Sequence, residues 1–414
     1  MFNCQLTLST IVLIRKRNLV IMLRNTIWII LVIISVNFSS QAQLKVVGYV
    51  TNNQLTTVDY SRITHLNIAF ENPDDAGYLS YAAVNTSYLQ QAHAKGKKVL
   101  VSIGGGSASY DADVQLRYFT LINDANRAGF VEKIVSYLNY HGFDGLDVDL
   151  EGSAINQDYG KFITALATAL KPHNKLLTSA LTHANNAASV PNDAMLLFDF
   201  INIMAYDATG PWNPDNPGQH SSYDFALESL AYWTNRGLPK QKAVLGVPFY
   251  GYGFGEDFNE GISFAQLIAR YPGAADRDIS GNTIYYNGVA TIKQKTEHVL
   301  SEGYGGIMIW QLAHDASGEQ ALLRVIDETL HPVTDMEDEI SDSIHLYPNP
   351  VDTFLNLKTF GLPRGEYVII DSSGKEYPTV KKNDLIDMTG LQSGLYIIKI
   401  KNEQKVIYRK FIKN

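Results

Sequence analysis

Between residues 144 and 151 the chain reads Asp-Gly-Leu-Asp-Val-Asp-Leu-Glu, four carboxylic acids in eight positions. In an extended strand residues two apart share a face, so Asp147, Asp149 and Glu151 line one side and Leu146, Val148 and Leu150 the other. Three like charges along one buried face are costly unless they share protons and hydrogen bonds, and packing alone does not demand them. A solvated acidic edge strand is the competing reading; the preceding Phe143 and the interleaved aliphatics argue instead for a strand covered on its far side. A carboxyl group whose pKa is raised toward neutrality can protonate a leaving oxygen, the first need of glycosidic bond cleavage. Glu151 is the candidate acid. Asp149, about 6.5 Å along the same face, sits on the acid's own side of a bound sugar and cannot attack from the opposite face as an ordinary retaining pair does. A 2-acetamido group on the substrate supplies the missing nucleophile: its carbonyl oxygen closes an oxazolinium-like ring, which Asp149 orients and stabilises while Asp147 shares a proton with Asp149.

These groups need a frame. From Lys45 to about Leu330 short aliphatic runs alternate with helix-length amphipathic stretches. The spacing predicts strands at 46–50, 65–70, 98–103, 145–151, 176–181, 200–206, 243–250 and 306–311, with helices at 81–94, 128–140, 159–170, 223–236 and 291–301. Eight strands alternating with helices over about 290 residues have the rhythm of an α/β fold, a (β/α)8 TIM barrel. An open doubly wound sheet is the alternative, but Gly104-Gly105-Gly106 lacks the spacing and acidic follow-up of a dinucleotide fingerprint. Barrel sites form where strands end. That rule gathers Glu151 from the fourth strand, Tyr206 and Asp207 from the sixth and Trp310 with Gln311 from the eighth, while Gly104 to Gly106 end the third and leave room for a ligand. Trp212, Tyr250 and Tyr252 near strand ends offer stacking surfaces, or are packed loop residues.

The flanks differ from this middle. Arg15, Lys16, Arg17 and Arg24 precede the apolar run Ile27 to Val36, and Ser40-Gln41-Ala42 makes a small-residue exit, so 1–42 reads as a signal peptide whose start could be Met22. An N-terminal anchor is the alternative, although the apolar run is short for a membrane span. The leader holds four of the 34 basic residues and none of the 42 acidic ones, which leaves 30 against 42 and a net charge of −12. Such a chain is a poor partner for nucleic acid. Its single cysteine, Cys4, lies before or in the leader, and the ten histidines lack ligand spacing, so neither disulfides nor a metal site is expected. The barrel is assigned to 43–332, an acidic linker containing Asp335, Glu337, Asp338, Glu339 and Asp342 to 333–344, and a small all-β, sandwich-like domain to 345–414.

The octapeptide resembles the D-x-x-D-x-D-x-E signature of glycoside hydrolase family 18, the chitinases and related endo-β-N-acetylglucosaminidases. Ser102-x-Gly104-Gly105, Met204-Ala-Tyr206-Asp207 and Trp310 also fit that pattern. The resemblance covers roughly 45–330 and implies Glu151 as proton donor, Asp149 as the residue orienting the acetamido group and Asp147 as its partner. It further implies that Tyr206 donates to the acetamido oxygen, that Asp207 and Met204 shape that pocket and that Trp310 is the floor under the sugar; Asp144, on the opposite parity, is structural. The implied substrate is chitin or another N-acetylglucosamine glycan, and the mechanism asks for no metal or organic cofactor. N-glycan cores and peptidoglycan are alternative substrates, and a catalytically dead sugar-binding protein is the alternative from another class, although such proteins usually lack the acid. Only about 50 residues separate Tyr250 from Gly306, so a full α+β insertion, found in many chitinases of the family, is not expected, and the cleft should be open. The tail, with Leu346-Tyr-Pro-Asn-Pro350, Tyr367-Val-Ile-Ile-Asp371, Gly374 and Ile386 to Tyr396, resembles the C-terminal sorting domain of type IX secretion, implying passage through the periplasm and across the outer membrane.

Overall fold

The computed structural model describes residues 44–331 and 344–414 apart from 54, 256–257, 360–365, 372–374, 380, 383 and 402–405. The expected leader and all but the last residue of the expected linker lie outside the described residues. The chain divides into two compact units between Leu330 and His331.

The first unit is a closed parallel barrel of strands β1 (Lys45–Thr51), β2 (His65–Ala69), β3 (Lys98–Gly104), β4 (Gly145–Asp149), β5 (Leu176–Leu181), β6 (Phe200–Met204), β7 (Ala243–Pro248) and β8 (Gly306–Trp310), with β8 pairing β1 to close the ring. All eight expected strands are present, with ends shifted by at most two residues. Their β-branched and aliphatic runs suit strands buried on both faces. Outward side chains such as Leu146 and Val148 pack under a helical shell that includes α1 (Val84–Ala94), α2 (Ala112–Ile122), α3 (Arg127–His141), α4 (Tyr159–Leu170), α5 (Tyr223–Asn235), α6 (Val289–Glu302) and α7 (Leu322–Leu330). Local chemistry marks the helix ends: Ser222 Oγ accepts from Phe225 N at 3.0 Å to start α5, and Gly142 at φ 81° ends α3. Register sets the site. Ser102 of β3 lies opposite Asp147 and Gly104 opposite Asp149, while Thr178 of β5 flanks Asp147 on the other side.

Between β7 and β8, α6 and the short helix Phe264–Arg270 are accompanied by a four-stranded antiparallel sheet built from Tyr250–Gly253, Gly261–Ser263, Ile279–Ser280 and Ile284–Tyr285. These strands run only two to four residues, too short for a period-two signal to show in the sequence.

The second unit has a three-stranded and a four-stranded antiparallel sheet. Leu355 and Ile386 from one, and Ile369, Ile398 and Phe411 from the other, are buried in one core, which makes it a small β-sandwich. Among the described residues no helix is long and apolar enough to cross a membrane.

Gly104 shows how tightly the end of β3 is packed. At φ 103° it is in the left-handed half of backbone space, and a Cβ there would stand 2.3 Å from the Asp149 carbonyl oxygen. Gly104→Ala is expected to lower stability by about 1–3 kcal/mol, measured by urea unfolding; a loss within error would show that β3 and β4 can separate without cost.

Candidate active site

Three acids project from one line of β4 and its extension. Asp147 and Asp149 lie in the strand, and Glu151 follows at φ −128° and ψ 163°, still extended, so the alternation continues past the last ladder pair. Asp147 is fully buried inside the barrel. Its Oδ2 accepts from Tyr49 OH at 2.7 Å and Ser102 Oγ at 2.7 Å; its Oδ1 accepts from Thr178 Oγ1 at 2.6 Å and Asn202 Nδ2 at 3.4 Å. Burial pushes its pKa up, and these donors pull it part of the way back. Asp149 is 4% exposed and its Oδ1 is buried without a hydrogen-bond partner. Burial, then the charges of Glu151 and Asp147, hold its pKa well above the ordinary carboxylate range. Glu151 opens on the cavity, and burial followed by repulsion from Asp207 raises it to about 7.

A cavity of about 730 Å³ at the C-terminal mouth of the barrel is lined by Asp149, Glu151, Met204, Tyr206, Asp207, Trp212 and Trp310, together with Tyr49, Phe70 and Tyr110. Trp310, at the end of β8, is held from two sides: Phe70 stacks on it with centroids 5.9 Å apart, and Tyr49 leans on it at 5.5 Å. Tyr206 is buried beneath the cavity, its hydroxyl 3.9 Å from Met308 Sδ. Gly246 makes room for it, since a Cβ there would lie 3.1 Å from the Tyr206 ring. Asp207 adopts φ 62°. Tyr250 OH donates to Asp207 Oδ1 at 2.6 Å, while the Asp207 amide faces His220 Nδ1 at 3.4 Å. The same Nδ1 lies 3.4 Å from Asp207 Oδ1, and Nε2 lies 3.3 Å from the Tyr250 carbonyl, so the ring is held between Asp207 and Tyr250. Trp212 is 61% exposed and meets Tyr252 edge-on at 5.1 Å. A second cavity of about 640 Å³ shares Asp207 and Trp310 with the first, adds Tyr250 and continues past Gln311 and His314.

Three expected site residues stand elsewhere. Gly104 and Gly105 do not line the cavity; their missing side chains are needed for the Asp149 carbonyl and for the Phe70 ring, which would be 2.6 Å from a Cβ on Gly105, and Gly106 is the glycine facing the ligand space. Tyr250 faces the second cavity and acts on the first through Asp207. Asp144 lies at the opposite end of β4, where its carboxylate meets Lys98 Nζ, His93 Nε2 and the Val99 amide at 2.8, 2.8 and 2.9 Å. Tyr49, Thr178, Asn202 and His220 were not selected from the sequence. The first three are polar groups at inward positions of otherwise aliphatic strands, a signal visible only once the barrel's inner face is assigned.

Residues 45–315 match the model of the glycosyl hydrolases family 18, and residues 345–414 match that of the secretion system C-terminal sorting domain. The chain belongs to glycosyl hydrolase family 18. Among solved structures, the family 18 chitinase ChiB from the chitin utilization locus of Flavobacterium johnsoniae is 37% identical, with a TM-score of 0.67 over 70% of this chain and 95% of that one. A chitinase from Bacteroides thetaiotaomicron is 28% identical, with a TM-score of 0.60 over 69% and 96%. A probable chitinase 10 of Drosophila melanogaster is 26% identical over 302 residues, 57% of this chain but only 13% of the fly protein's length.

The position of Glu151 in the family 18 barrel makes stability depend on pH. Its folded pKa of about 7 lies above that of an unfolded glutamate, about 4.3, so the native state holds the extra proton in that window and stability falls as pH rises through it. In Glu151→Gln the melting temperature should gain on that of the parent between pH 4.5 and 7 and then hold a constant lead; a gap independent of pH in scanning fluorimetry would contradict the assignment.

Proposed function

We propose that this barrel hydrolyses β-1,4-linked N-acetylglucosamine chains, chitin or chito-oligosaccharides, with retention and with the substrate's own amide as nucleophile. The observation that carries the reading is the partnerless, buried Oδ1 of Asp149 between a saturated Asp147 and a cavity-facing Glu151. A buried acceptor without a donor is costly, and the acetamido N–H of a sugar lying on Trp310 is a donor of the right kind.

Glu151, raised to about 7, is protonated in a substantial share of molecules near neutral pH and gives that proton to the glycosidic oxygen as the bond from that oxygen to C1 breaks. The acetamido carbonyl oxygen forms a bond to C1 from the other side and closes an oxazolinium ring. Tyr206 donates to that oxygen and holds it in line, while Met204, Asp207 and Trp310 enclose the ring. Positive charge on the amide nitrogen favours the anionic form of Asp149, which accepts the N–H. Before a sugar binds, Asp147, its oxygens committed to four donors, leaves any proton the pair shares on Asp149, and that proton passes to solvent as the amide N–H takes its place. Glu151, now a carboxylate, takes a proton from water, and the hydroxyl attacks C1 from the side the leaving group vacated as the bond from C1 to the acetamido oxygen breaks, which reopens the ring and restores the acid, the acetamido group and the original configuration.

The wide mouth between Tyr110 and Trp212, both largely exposed, suits attack within a chain rather than threading from one end. Export is assigned to the tail, with type IX machinery at the outer membrane as its partner.

Glu151→Gln should lose hydrolysis by about 10²–10⁴-fold while still binding chito-oligosaccharide in calorimetry, and fully deacetylated chitosan should not be cleaved. Equal turnover of that polymer would end the amide-assisted reading; faster cleavage of a high-mannose glycopeptide or of peptidoglycan than of chitin would move the substrate. Removing residues 345–414 should leave hydrolysis intact and retain the enzyme in the periplasm, as seen by fractionation, whereas unchanged export would separate the tail from secretion.

A further inference from the structure

Helix α6 carries a lysine where an amphipathic helix would ordinarily place an apolar residue. Lys295 is fully buried, and its Nζ lies 2.8 Å from the Ser221 carbonyl oxygen, 2.8 Å from Ser221 Oγ and 2.7 Å from Asn287 Oδ1. Ser221 Oγ has one hydrogen, and it goes to the Ala205 carbonyl at 2.6 Å. Toward the lysine it can therefore only accept. The Ser221 carbonyl and Asn287 Oδ1 are acceptors as well, the latter because Asn287 Nδ2 donates to the Ser221 carbonyl at 2.8 Å. Three acceptors match the three hydrogens of an ammonium group, and a neutral amine would leave one contact unmade.

Ala205 is the residue between Met204 and Tyr206, at the point where β6 leaves the barrel. The neighbouring His220 holds the other end of the same segment: the Ala208 amide donates to its carbonyl at 3.0 Å and its ring lies against the Asp207 amide. The pair His220-Ser221 is thus a clamp on 205–208, and Lys295 is what fixes the clamp to the helical shell. A buried lysine facing neutral oxygens is a costly way to fill space, as the fall of its pKa to about 7 by burial, partly opposed by Asp278, reflects. An apolar side chain would pack there more cheaply.

We propose that Lys295 is a positioning residue for hydrolysis: through Ser221 it fixes the Ala205 carbonyl and thereby sets Tyr206 and Asp207 against the sugar's acetamido group. The inference rests on the amide-assisted reading above. It predicts that the linkage matters most when the amide oxygen moves onto C1, because Tyr206 has to follow that oxygen within a few tenths of an ångström.

Two variants test it. Lys295→Met removes the ammonium, and Ser221→Ala keeps the lysine while cutting the link to Ala205, so a folding defect in the first leaves the second informative. Each is expected to lower kcat on chito-oligosaccharides by roughly tenfold to hundredfold with KM changed less than about threefold. Affinity for a thiazoline analogue of the oxazolinium ring should fall in step with kcat, while affinity for the reduced chain product stays near that of the parent. Parent-like kcat in Ser221→Ala, or equal loss of analogue and product binding, would overturn the positioning role. Failure of the parent itself to bind the thiazoline would instead overturn the amide-assisted mechanism.

Discussion

The interaction on which the rest depends is the burial of the Asp147 carboxylate at the centre of the barrel. Taking a carboxylate out of water costs several kcal/mol even after relaxation, and hydrogen bonds to a charged group return about 1.5–3 kcal/mol each. Asp147 has four, from Tyr49 on β1, Ser102 on β3, Thr178 on β5 and Asn202 on β6. No run of adjacent residues could supply that set. It exists only when the barrel is closed in its observed register, so the fold and the anion define each other.

From that fixed point the three acids form a graded series. The deepest, Asp147, has its lone pairs filled; Asp149 above it has an oxygen without a partner; Glu151 reaches the cavity. Burial raises all three, but only Asp147 has donors drawing it back, so affinity for a proton is displaced outward along the strand toward the cavity. The alternation of β4 makes this possible, because each acid is one pleat from the next and none is shielded by an intervening side chain on that face.

What the sequence revealed follows from where the information is stored. The carboxylate face of β4 was legible because a period of two is a local property, and the eight strands were legible because each is a short aliphatic run between helical stretches. The donors to Asp147 were not, since each is a single polar residue in a different strand and their convergence is a property of the closed ring. Gly104 and Gly105 were legible as glycines but not by reason: their positions are dictated by the Asp149 carbonyl and the Phe70 ring, both distant in the chain. The same holds for the clamp, where Lys295 acts on Ala205 across 90 positions and reads in sequence as one more charge on a surface helix.

Tyr49 joins the two halves of the site. Its hydroxyl donates to Asp147 and accepts from Asn202 Nδ2 at 3.1 Å, while its ring supports Trp310, which Phe70 stacks from the other side. The Trp310 ring at the cavity and the buried Asp147 carboxylate are therefore both held by one rigid side chain. Both contacts are made within one covalent unit, so the cavity wall and the buried carboxylate keep a fixed spacing that a flexible loop carrying the same groups would not achieve.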